Sequence, residues 1–242
     1  MAKRSKFQAP VNAEKDYNKA LRRVAKLTGG IIEPHVDGAK IAEAAAMNAQ
    51  LEAYAKALGP WAERTAAKML ARVSANSARA FASTAKTIAR ELIAGMAESA
   101  VGLRTQQLQA EQVALIKSIP LEAGKRAQEL ALSAITGGRR PDEVAQELMR
   151  TEQVTLSRAT LIARTETAKA ASVLTEARAT SIGSDAYIWR TAEDGDVRES
   201  HAEMEGEVVQ WSQPPTLSDG TTTHAGQIYN CRCFAEPIFI DI

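Results

Sequence analysis

Apolar side chains recur three or four residues apart over roughly the first three-quarters of the chain, and then give way to short runs bounded by polar loops. The first pattern marks helices with one buried face, the second strands. Tyr17, Leu21 and Val24 share one side of a basic stretch running from Val11 to about Leu27. Gly29-Gly30 is its expected stop, and Pro34 keeps the next residues extended. The ten residues before this helix read as a disordered arm. Asp37 is placed to cap a helix reaching about Leu58, with Gly59 at its C-terminus and Pro60 in the first turn of the next. From Trp61 to Ser118 there is no proline, and Leu70, Val73, Phe81, Val101, Leu108 and Ile116 keep helical spacing. One very long helix, or two broken near Gly95–Gly102, is expected. Pro120 then opens a helix over Leu121–Ile135 that Gly137-Gly138 stops. Pro141 starts a short helix through Met149, and Thr155 or Ser157 caps a last long helix to about Thr180.

Beyond Gly183 the runs shorten. Ala186–Arg190, Val208–Trp211, Ile228–Cys233 and Ala235–Ile240 have β character, separated by a loop around Gly195 and another carrying Pro214, Pro215 and Gly220. The fold class expected is α+β: long helices for the N-terminal two-thirds, then a small C-terminal α+β domain with short strands. The corresponding divisions are a basic arm and short helix at 1–30, a long helical region at 31–118, a further helical part at 119–182 and the small closing part at 183–242.

Composition sharpens this picture. Hydrophobic residues make up 45% of the 242 residues but aromatics only 5%, so alanine and aliphatic side chains carry the cores. Alanine favours helix but buries little area, so thin helical seams that partners complete are expected. No apolar run is long enough to cross a membrane, and the basic start lacks the apolar segment of a secretory signal. The net charge of +1 conceals a gradient. Residues 1–30 hold eight Lys or Arg against two acids, and residues 185–242 hold three against eleven. Lys3, Arg4, Lys6, Lys15, Lys19, Arg22, Arg23 and Lys26 are candidates for contact with nucleic acid or an acidic partner, or else a solvated helix face.

The chemistry concentrates near the C-terminus, in Trp189, Asp194, Arg198, His201, Gly206, His224, Asn230, Cys231, Arg232 and Cys233. Two cysteines one residue apart are no disulfide framework. On extended backbone both thiols point one way and Arg232 the other. Two thiolates suit zinc, and His201 with His224 would complete a tetrahedron. The alternative is a pair of small buried thiols with no ion, and no other cofactor is indicated.

The runs ATLIARTETAKAAS, YIWRTAEDGDVRESHAEMEGEVV and GQIYNCRCFAEPI resemble the Mu F-like family of phage head-morphogenesis proteins. Arg164, Thr165 and Glu166 match its helical motif. Trp189, Asp194, Val197, Arg198, Ser200, His201 and Gly206 match its middle, and Asn230, Cys231, Arg232 and Cys233 its end. The resemblance is strong over 155–238 and weaker over 117–154. Two departures stand out. His224-Ala225-Gly226 replaces the family's usual proline and glycine. Arg198, which cannot ligate a metal, stands where some members have the first cysteine of a Cys-x-x-Cys; it is expected to pair with Asp194 or Glu166 instead. Either Arg164 or Glu166 is expected to latch the helix to the closing domain while the other is solvated, Trp189 to be core, and Glu203, Glu205 and Glu207 to form an exposed acidic edge.

The resemblance implies a minor capsid protein, structural and not enzymatic, acting in procapsid assembly near the portal. Its implied partners are the portal, the major capsid or scaffolding protein and, without sequence preference, packaged double-stranded DNA. Its implied location is the virion, with the host cytoplasm during assembly. The competing readings are a metal-dependent nuclease using His201, His224, Asn230 and the two cysteines, an ADP-ribosyltransferase-like enzyme using Glu203 and Glu205, and a helical adaptor outside any phage head.

Overall fold

The computed structural model describes residues 5–35, 41–84, 89–136 and 141–239. Helices α1 (Val11–Ile32), α2 (Ile41–Ala57), α3 (Gly59–Thr84), α4 (Ala89–Thr136) and α5 (Pro141–Ser181) come first, with a 3-10 turn at Glu33–His35 after α1. Strand β1 (Ala186–Arg190), the short helix α6 (Glu199–Ala202), β2 (Val208–Gln210) and β3 (Phe234–Pro237) follow. The class is α+β. No helix among the described residues is long and apolar enough to cross a membrane.

Several expected helix ends are absent. Gly29 and Gly30 lie inside α1, Gly95, Gly102 and Pro120 inside α4, and Met149, Thr155 and Ser157 inside α5. At Pro120 burial overrides the local breaker. Gln112, Ile116, Ile119, Ala123 and Ala127 form one buried stripe that continues straight past Pro120, which offsets a proline cost of about 3 kcal/mol. Gly29 permits close approach instead of ending the helix: a Cβ there would sit 2.8 Å from the Glu152 side chain. Thr155 caps nothing, because its hydroxyl donates to the Thr151 carbonyl one turn back, at 2.6 Å. The expected cap at Asp37 and the stop at Gly137-Gly138 lie outside the described residues.

The chain forms two compact units. One comprises Asp16–Ala66 and Ala110–Ala163 and is wholly helical where described. Ile32, Met47, Leu51, Ala123, Ala127, Val144 and Leu148 make an apolar cluster within it, and the buried Tyr17 hydroxyl donates to Gln112 Oε1 at 2.8 Å.

The other unit comprises Met1–Lys15, Ala67–Gln109 and Arg164–Ile242 and contains the sheet. The strand order is β2-β1-β3, both pairings antiparallel. Alternation along β1 buries Tyr187 and Trp189 completely. Around them pack Phe81, Ala179, Val209, Trp211, Leu217 and Phe234. Pro237 is tolerated because β3 is an edge strand. From Ser5 onward the expected disordered arm is docked. Phe7 is 5% exposed and meets Phe81 edge to face at 5.6 Å. Asn76 Nδ2 donates to the carbonyls of Lys6 and Gln8 at 3.2 and 3.3 Å.

Candidate functional site

α6 sets His201 facing the stretch just before β3. Its imidazole Nδ1 lies 3.3 Å from Cys231 Sγ and 3.4 Å from Cys233 Sγ. All three residues are buried, and their ligand atoms lie within 4.8 Å of one another, so the trio can hold a metal ion. Residues 228–233, expected as a strand, form none. Asn230 adopts a positive φ of 56° and the Cys231 N–H turns back to the Ile228 carbonyl at 3.3 Å. Both sulfurs nevertheless share one side. The Cys233 N–H also donates to Cys231 Sγ at 3.3 Å. Hydrogen bonding from Cys233, and then from His201, holds the Cys231 thiol below its ordinary range. Cys233 is pushed up because its proton is the one donated to Cys231, and because it is buried. The Trp189 ring meets the imidazole edge to face at 5.7 Å.

Beside this trio, the end of the motif is tied to α5. Arg164 Nη1 donates to Asn230 Oδ1 at 3.0 Å, and the Asn230 N–H donates to Thr165 Oγ1 at 2.9 Å. Arg164 and Thr165 thus both tie α5 to Asn230. Glu166 is not solvated; it is 9% exposed. Arg232 points away from the sulfurs and grips Asp194 with both Nη atoms at 2.7 Å, with Asp196 at 3.1 Å. The expected Arg198–Asp194 pairing is thus replaced. Arg198 donates to the Tyr229 carbonyl at 3.1 Å, and its guanidinium lies 4.9 Å from the Tyr229 ring centre.

His224 falls outside the trio. Its Nδ1 lies 3.0 Å from the Tyr187 hydroxyl, which also accepts the Ala225 N–H at 3.3 Å. Burial lowers the His224 pKa and raises that of Tyr187, so the phenol donates to a neutral imidazole. The two histidines of the expected zinc set thus part company. Of the residues named for a nuclease, His224 parts from the others: it faces a phenol, while His201 and Asn230 border one small void with the two cysteines.

Of the expected acidic edge, Glu203 and Glu207 are exposed, but Glu205 is half-buried. It accepts the Thr191 N–H at 2.5 Å and pairs with Arg190 at 3.2 Å. Burial opposes ionisation of Glu205, but these donors outweigh it and its pKa is lowered. Gly206, at φ +85°, sends its N–H to the Trp189 carbonyl at 2.9 Å. Lys6, Lys15, Lys19, Arg22, Arg23 and Lys26 are exposed; Lys3 and Arg4 lie outside the described residues. The sequence does not single out Tyr229 or Asp196, and it marks Gly226 only as a departure in the loop. Tyr229 adjoins the Asn-Cys-Arg-Cys motif and Gly226 lies four residues before it, but no local pattern signals Asp196.

Residues 125–236 match the family described as Phage Mu protein F like protein. A Haemophilus influenzae (strain ATCC 51907 / DSM 11121 / KW20 / Rd) protein described as an uncharacterized protein is 33% identical over 135 residues, which is 56% of this chain. The aligned part is 29% of that relative's length, so the chain spans under a third of it. No solved structure matches.

Proposed function

We propose that the chain is a minor structural component of a tailed-phage head. It acts in procapsid assembly beside the portal, with the major capsid or scaffolding protein as a further contact. The observation that carries this reading is where the Mu F-like residues are spent. Thr165, Trp189, Asp194, His201, Asn230 and the two cysteines all engage one another or the core, giving a closed knob at the end of α5. Side chains used up in holding a fold suit a part that is docked against others. The exposed basic side chains of α1, among them Lys19, Arg22, Arg23 and Lys26, would meet packaged DNA through phosphates alone. Binding would then be blind to sequence and weaken steeply with salt. The protein would reside in the virion, and in the host cytoplasm while heads form.

Quantitative mass spectrometry of purified procapsids and filled heads tests the assignment. The chain is expected at a fixed, low ratio to the portal subunit. Its absence from both particles would overturn the reading. DNA contact is tested separately by filter binding of the chain with Lys19, Arg22, Arg23 and Lys26 changed to Gln. A loss of affinity and a smaller salt slope are expected, and unchanged binding refutes that contact.

A further inference from the structure

We infer that His201, Cys231 and Cys233 bind one zinc ion, with a water molecule as fourth ligand. The geometry points to this independently of the head-assembly reading. In a tetrahedral centre with Zn–N of about 2.0–2.1 Å and Zn–S of about 2.3 Å, nitrogen and sulfur ligands lie about 3.5 Å apart. The two separations from His201 Nδ1 are 3.3 and 3.4 Å, so both edges already match with almost no movement. Two thiolates and one imidazole are a soft, borderline donor set that favours zinc over magnesium or calcium. Two thiolates also neutralise a divalent cation, which suits a buried location.

The surroundings fit an ion as well. The Cys233 N–H already donates to Cys231 Sγ, the kind of outer hydrogen bond that settles a metal thiolate. Arg198 and Arg232, the two cations nearest the site, are turned to Tyr229, Asp194 and Asp196 and so stay off the ligands. A void of about 20 Å³ lies against the three ligands, bounded also by Asp196, Val197, Arg198, Asn230 and Arg232. That is room for one water, and its polar walls can orient it. Loss of His224 from the set leaves three protein ligands and one open position. The ion would tie α6 to the segment entering β3.

The test uses the full chain expressed with zinc supplied. Metal analysis after exhaustive dialysis is expected to find about one zinc per chain, with His224→Ala still retaining it and Cys231→Ser and Cys233→Ser losing it. Cysteine variants can fail to fold, so the wild-type chain is also loaded with cobalt(II). A thiolate-to-cobalt charge-transfer band in the near-ultraviolet is expected, together with two thiols that a thiol reagent titrates only after chelator is added. Folded, zinc-free protein whose thiols react at the same rate with and without chelator would overturn the site. Stoichiometric binding of a different metal in place of zinc would overturn the assignment of the ion.

Discussion

Gly226→Ala provides the sharpest test of how the closing domain is built. Gly226 has φ +80°, and a Cβ there would lie 2.8 Å from the Cys233 carbonyl oxygen, 3.5 Å from Ser172 Cβ and 3.6 Å from the Ala168 carbonyl. The close neighbour is backbone, and β3 begins at the very next residue, so it cannot swing aside. The left-handed conformation costs alanine about 1–2 kcal/mol. Forcing the carbonyl away adds about 1–3 kcal/mol. Gly220 and Gly183 share the same φ, +81°, but have nothing within 4 Å of the added Cβ. Gly220→Ala and Gly183→Ala should therefore carry only the conformational part. Urea denaturation of the three variants beside wild type isolates the close approach. At about 2–4 °C per kcal/mol for a chain of this size, thermal melting should show Gly226→Ala several degrees below the two controls. Equal losses in all three would refute the packing of the 226 loop between α5 and the Cys-x-Cys segment.

Three further outcomes are expected. Phe7→Ala should destabilise by about 3–5 kcal/mol, the usual cost of emptying a buried phenylalanine site; a change below about 1 kcal/mol would mean that the arm is undocked. Tyr187→Phe should cost about 1–3 kcal/mol, because the Ala225 N–H and His224 Nδ1 lose their partner in a buried place. His224 is buried neutral, so its folded pKa is depressed. Its share of stability is present above its unfolded pKa of about 6.5 and is lost as pH falls from there toward the folded value. His224→Gln should flatten the decline in denaturation free energy between about pH 7 and 5, and an unchanged slope would count against the buried neutral imidazole.

Period-two alternation in Ala186–Arg190 gives β1 away, because a sheet with one buried face writes itself directly into the order of residues. Cys231 and Cys233 share one side as their spacing suggests, although the segment carrying them is no strand. Helix ends were harder. Pro120, Gly29-Gly30 and Thr155 are breakers by local chemistry, yet each sits on or beside a buried stripe that continues unbroken, and packing outweighs propensity. The two histidines look alike in sequence. Which one meets the sulfurs depends on how the loop through Pro214 and Pro215 returns His224 to Tyr187, a contact between residues 37 apart. Phe7 escapes the sequence for the same reason: its partner Phe81 lies in α3, beyond the reach of any local pattern.

Complementation is the sharpest test of the proposed role of the closing domain in phage head construction. A phage lacking the gene should yield few infectious particles, and a wild-type copy supplied in trans should restore them. A soluble Gly226→Ala copy should restore them poorly at a temperature where its knob is open. Normal particle yield from the deletion would contradict the account.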